Sequence, residues 1–195
     1  MQTAIATLAA YVLVAMNAWV PKYGPGQERM RSIAHDIAEV SVEARAPLFD
    51  EGDEDRSRTA LLLASISRHE SNYAAWVDSG ECNDETWRSG PRGADLAKRV
   101  PNMCDGGHAY GVAQVHPFPG GPTAEQMRAD RKVALRAALV LLRGSFARAR
   151  ESGGELLCGY TGERGSCPKA ARRLRDAEVW RLGHPFDPTA DLPRE

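Results

Sequence analysis

Apolar residues recur at helical spacing in five stretches of this chain, and nowhere do they alternate over a run useful for a strand. In the first stretch, Ala4 to Val20, Ile5, Leu8, Val12, Met16 and Trp19 form one stripe, opposite Thr3, Thr7, Ala10 and Asn17. The stretch carries no charge and is about 17 residues long, marginal for a membrane span. Met1-Gln2-Thr3 lacks the basic flank of a secretory signal. It reads as a buried N-terminal helix, with a signal or anchor as the alternative. Pro21 to Gly26 then forms a turn. Glu28 to Ala46 is amphipathic, with Met30, Ile33, Ile37, Val40 and Ala44 inward and Pro47 as its stop.

The acidic loop Asp50 to Asp55 precedes a strong helix from Ser57 to about Ser71, whose positive N-terminus suits those carboxylates. Residues 78–122 read as one long irregular loop rich in Gly, Pro, Asp and Asn, a length that usually means function. Thr123 and Gln126 form a capping box opening a helix that runs to about Arg150, with Leu135, Leu139, Leu142 and Phe146 inward and Gly153-Gly154 as its end. A short helical piece, Glu155 to Cys158, leads into a loop from Gly159 to Ser166. Pro168 starts a last helix, with Leu174 and Trp180, closed by Gly183. The expected fold is mostly α.

Composition sharpens this picture only in places. With 25 basic and 26 acidic side chains, a net charge of -1 argues against a general nucleic-acid binder. Acids crowd Asp36 to Asp55, eight against Arg45 alone, while Arg128 to Arg181 holds thirteen Lys and Arg against six acids. Solvated helix faces account for both runs, and the basic one would also suit an anionic polymer. The cysteines form two pairs around polar, Gly-rich sequence, Cys82 with Cys104 and Cys158 with Cys167. Their even count suggests two disulfides and an oxidising compartment. Zinc, with His108 or His116, is the competitor, but Cys-x-x-Cys spacing is missing. Reduced thiols are the third alternative. Phosphate-loop, Rossmann, His-Glu-x-x-His and Gly-x-Ser-x-Gly motifs are all missing, so no cofactor and no metal is expected.

Glu70 is the most informative residue. Leu63, Ile66 and Glu70 fall at i, i+3 and i+7, so an apolar stripe ends in a carboxyl group where the helix runs out. Desolvation there would keep the group protonated near neutrality, as a general acid requires. The alternative is a helix-end glutamate paired with an arginine. Three strings follow in order: Glu70-Ser71-Asn72-Tyr73, Gly111-Val112-Ala113-Gln114-Val115 and Gly159-Tyr160-Thr161-Gly162. They resemble the motifs of soluble lytic transglycosylases and goose-type lysozymes: Glu-Ser with an aromatic, Gly-Leu-Met-Gln, and Tyr-Asn-x-Gly. The resemblance covers about residues 57 to 180.

The resemblance implies a mostly α, lysozyme-like fold in which the disulfide-closed loops form the glycan cleft. Residues 1–56 would supply preceding helices, 57–183 the catalytic domain and 184–195 a tail. It further implies cleavage of the β-1,4 bond between N-acetylmuramic acid and N-acetylglucosamine. Glu70 would be the catalytic acid; Ser71, Tyr73, Tyr110, Gln114 and Tyr160 would bind substrate. Ser71 would alternatively steady the helix end, Gln114 tie loop backbone together and Tyr160 sit in the core. Ala113 departs from the usual Met, Thr161 from the usual Asn, and Gly162 comes one residue early. His116 stands where goose-type enzymes carry an acid, and His69 is expected on the surface.

Asp105, in Asp105-Gly106-Gly107-His108, is the remaining candidate base, its glycines letting backbone approach a sugar, though Asp-Gly-Gly is also an ordinary turn. A base about 6.5–9.5 Å from Glu70 would give an inverting hydrolase. Without one, the muramic acid C6 hydroxyl attacks intramolecularly and leaves 1,6-anhydro ends. The three motifs together favour the latter, with a modest effect of Asp105→Asn. The expected partner is peptidoglycan and not nucleic acid, with nothing firm pointing to a membrane, and the expected setting is the periplasm, the cell wall or a phage. The rival from another class is a non-catalytic glycan-binding or virion protein on the same fold.

Overall fold

A computed structural model describes residues 1–21, 28–44, 46–49, 54–162 and 167–189. Among these the chain is mostly helical, with no strands. Most of the turn expected at Pro21 to Gly26, and most of the acidic loop from Asp50, lie outside the described residues. So do Glu163 to Ser166 and the last residues of the tail. The chain forms two compact units, Met1–Ile66 with Leu139–Glu195, and Ser67–Ala138.

In the first unit, helix α1 (Gln2–Trp19) packs against α2 (Glu28–Glu43). Leu8, Val12 and Met16 of α1 are buried, as are Met30, Ile33, Ile37 and Val40 of α2. Thr7, expected on the outer face, is also buried, because its hydroxyl donates to the Thr3 carbonyl at 3.1 Å and so needs no water. By length and composition alone α1 is long and apolar enough to cross a membrane, a test that a core helix or a signal sequence also passes. Helix α2 ends at Glu43, three residues short of Ala46.

Helix α3 (Glu54–Ser71) begins one turn earlier than its apolar pattern suggests. Asp55, in its first turn, is buried, and its carboxylate accepts from the backbone N–H groups of Leu48 and Phe49 at 2.8 and 2.6 Å. From Ala60 to Ala64 every side chain is sealed, as is Ile66, so this stretch is buried all round and not along one stripe. Phe49 meets Phe146 edge-on at 5.3 Å, and the Arg58 guanidinium lies over the Phe49 ring while pairing with Glu178.

The expected long helix from residue 123 is two helices. Thr123 and Gln126 do form a reciprocal capping box, but it opens only α8 (Ala124–Ala129). Asp130 is extended (φ -140°) and its carboxylate accepts from Lys132 N–H at 2.8 Å, capping the start of α9 (Arg131–Ser152). A short polar side chain that bonds local backbone wins over continuation of the helix. Gly153, at φ 69°, ends α9, with Gly154 N–H reaching back to the Ala149 carbonyl. The last described helix, α11 (Pro168–Gly183), buries Ala170, Arg173 and Ala177, while Leu174 and Trp180 are only half-buried.

The second unit holds what the sequence suggested was one irregular loop. It contains α4 (Ala75–Asp78), a 3-10 turn Glu81–Asn83, α5 (Glu85–Ser89) and α6 (Pro91–Arg99). Asp84 caps α5 through the Trp87 N–H, and Pro91 opens α6. These pieces are too short to carry a period of their own. They lean on a small core of Val77, Cys82, Met103 and Cys104, edged by Trp76, Trp87 and Leu96. The Cys82–Cys104 disulfide sits within this core, and Cys158 is bridged to Cys167 in the first unit.

Candidate active site

Glu70 lies in the last turn of α3, half-buried, below the sealed Ile66. His69, expected on the surface, is also only half-buried. The helix ends because the next residues leave it: Asn72 and Tyr73 stand at φ 49° and 52°, in the left-handed region. Ser71 holds this exit. Its hydroxyl donates to the Ser67 carbonyl at 2.7 Å and accepts from the Tyr73 N–H at 3.2 Å. Of the two roles open to Ser71, the helix-end one is in place. Tyr73 is completely enclosed, and burial pushes its phenol far above its ordinary range, against a weaker lowering by the Arg68 charge. The ring of Tyr73, expected to contact substrate, is sealed from solvent and packs inside the unit.

The second motif is a tight turn. Tyr110 and Val115 exchange both backbone hydrogen bonds at 2.9 Å, enclosing Gly111 to Gln114. Gly111 stands at φ 64°, and a Cβ there would come within 2.8 Å of the Ala134 methyl, which fixes glycine at this position. Gln114 stands at φ 51° and its amide donates to the Gly111 carbonyl at 3.0 Å. The side chain therefore ties the loop backbone together, and it is half-buried, as is Tyr110. Tyr160 belongs to the first unit. Its motif falls on a helical turn, α10 (Cys158–Thr161), ended by Gly162 at φ 67°, and not in the expected loop. The helical piece expected at Glu155 to Cys158 lies three residues further on.

Asp105 lies in the longest run of left-handed backbone among the described residues. Cys104, Asp105, Gly106 and Gly107 follow one another at φ 49°, 45°, 68° and 92°, so the single turn α7 (Cys104–Gly107) winds left-handed. Each non-glycine residue in that region costs about 1–2 kcal/mol, so Cys104 and Asp105 store about 2–4 kcal/mol. Four restraints hold the turn. The amide of Asn83 donates to the Gly107 and Ala109 carbonyls at 3.0 and 2.9 Å, and Arg88 donates to the Gly106 carbonyl. The Ala109 N–H closes on the Cys104 carbonyl at 2.9 Å, and the disulfide anchors Cys104. Gly107 serves this internal packing, with a Cβ position 2.6 Å from Arg88 Nη1, whereas Gly106 is open on that side.

The turn delivers Asp105 to His116. Oδ2 lies 3.0 Å from Nε2, with the side chains 68% and 53% exposed. An exposed pair returns at most about 1 kcal/mol, less than the strain stored beneath it. Every non-glycine residue at positive φ among the described residues, from Asn72 to Gln114, lies in this second unit. Such strain persists where surroundings over-determine it, and it concentrates at functional sites. In the sequence His116 stands out as a missing acid and as a rival zinc ligand, not as a partner of Asp105. Its pairing with Asp105, and the supporting roles of Asn83 and Arg88, carried no local signal beyond Asn83 standing next to Cys82.

No family model matches this sequence, and no curated protein or solved structure matches it either.

Proposed function

We propose that the chain is a peptidoglycan-cleaving glycosidase, with a lysozyme-like cleft, acting on the β-1,4 bond between N-acetylmuramic acid and N-acetylglucosamine. The observation that carries this reading is Glu70. It ends a sealed helix and is half-buried, and the backbone after it turns left-handed at two successive residues. A carboxyl group so placed has a dry side to hold it and an open side to meet a polymer. The strained turns of Asp105 and Gln114, in the same unit, add to that support. The two disulfides suit an oxidising setting outside the cytoplasm, where this substrate is found.

In this reading Glu70 gives its proton to the glycosidic oxygen as the bond to C1 breaks. Water or the muramic acid C6 hydroxyl then bonds to C1, and intramolecular attack gains from effective molarity. The motifs favour the 1,6-anhydro product. Release of labelled glycan from sacculi tests the activity, and mass spectrometry identifies the nucleophile, since a hydrolysed product is one water heavier. Glu70→Gln keeps the shape and removes the proton, so release should fall at least about 10²-fold. Near-normal release by Glu70→Gln would overturn the assignment.

The internal engagements of Ser71, Tyr73 and Gln114 favour a second reading, a non-catalytic glycan-binding or virion protein. Co-sedimentation with sacculi without release would establish that alternative.

A further inference from the structure

We propose that His116, oriented by Asp105, is the base of the reaction's second half, taking the proton from the attacking hydroxyl. This rests on the glycosidase reading above and names a group that reading leaves open.

Both partners are carried on pinned backbone. Asp105 sits in the left-handed turn held by Asn83, Arg88 and Cys82. His116 directly follows Val115, whose backbone closes the Gly111 to Gln114 turn. Two strained segments are thus built to bring one carboxylate to one imidazole at 3.0 Å. The contact itself stabilises too little to account for that construction, and both side chains stay open to a large substrate.

The chemistry follows from which nitrogen is engaged. With Nε2–H donating to the Asp105 carboxylate, Nδ1 is left as the acceptor, and the carboxylate stabilises the imidazolium that forms. Glu70 loses its proton to the departing glycosidic oxygen. The oxygen of water, or of the C6 hydroxyl, bonds to C1 while its proton moves to Nδ1 of His116. The turnover leaves a Glu70 carboxylate and a His116 imidazolium, and proton exchange with solvent restores both. Asp105 is a positioning residue, since it acts through His116.

The test uses the full chain on labelled sacculi. His116→Ala should lower kcat about 10²-fold with KM little changed, and added imidazole should recover part of the loss. His116→Gln, which keeps a donor toward Asp105 but offers no base, should be as slow as His116→Ala. Asp105→Asn should cost about tenfold in kcat. Glu70→Gln should not respond to imidazole. Activity of His116→Gln within about threefold of the parent, or no imidazole rescue of His116→Ala, would overturn the proposal. If Glu70→Gln is then still dead, the dyad alone has failed. A parent protein that releases no glycan removes the glycosidase reading and the dyad with it.

Discussion

Removing one charge from the Asp78–Arg131 pair tests what holds the second unit together. The pair is a two-pronged fork between α4 and the start of α9, with Nε to Oδ1 at 2.6 Å and Nη2 to Oδ2 at 2.8 Å. Only 6% of the Asp78 side chain and 18% of Arg131 are exposed, so water cannot take over from either partner. Asp78→Asn keeps the shape and one acceptor but takes from an enclosed guanidinium the charge that this fork supplies. Breaking such a pair costs about 3–5 kcal/mol, and the retained acceptor places this case near about 3 kcal/mol. Urea unfolding with the disulfides intact, followed by circular dichroism, reads that loss directly. At a slope of about 2 kcal/mol/M the midpoint should fall by about 1.5 M. Asp78→Leu with Arg131→Met removes both charges, so it should lose less than Asp78→Asn alone. A loss below about 1 kcal/mol for Asp78→Asn, or a double variant no better than the single one, would refute the assignment of this fork as a buried support.

Opening the 22-residue separation of Cys82 and Cys104 by a double Cys→Ala exchange should cost about 3 kcal/mol on the chain-entropy model, seen as a lower unfolding midpoint under non-reducing conditions. Gly107→Ala must displace Arg88 as well as adopt φ 92°, so it should lose about 2–3 kcal/mol in thermal unfolding. Gly120→Ala, at φ 76° with open space around it, should lose only about 1 kcal/mol. Burial pushes the Tyr11 phenol up to about 12, with Glu178 adding and Arg181 opposing, while its hydroxyl donates to the His184 carbonyl at 2.7 Å. The folded state therefore holds that proton more tightly than the unfolded chain does. Its contribution is complete below about pH 10 and is lost as pH rises through about 12, so Tyr11→Phe should flatten the alkaline fall in melting temperature.

What the sequence made legible was whatever a local pattern specifies. Met30, Ile33, Ile37 and Val40 repeat at the period of their helix and are buried as that period requires. The cysteine pairs could be read from even count and loop placement. Asp130 was missed because apolar spacing from Met127 to Leu135 runs on across it, while the break comes from one carboxylate bonding one amide. The left-handed turn was missed for a different reason. Asp-Gly-Gly permits a turn of either hand, and the choice is made by Asn83 and Arg88, far upstream. Glu70 stands out in the sequence as a carboxyl group at the end of a helix, whereas the Asp105–His116 contact depends on two turn geometries at once and has no sequence period.

The left-handed turn also bears on the order in which the chain folds. A segment that is unfavourable by itself and is stabilised chiefly by groups about twenty residues away nucleates structure poorly, because its strain comes before most of its restraints. It belongs late, after the Val77, Cys82 and Met103 core has gathered. Substitutions that loosen the turn, such as Asn83→Ala, should therefore leave the refolding rate nearly unchanged and raise the unfolding rate. The stretch that presents Asp105 would then open ahead of the core it leans on, so its geometry is guarded by the barrier to unfolding more than by the speed of assembly.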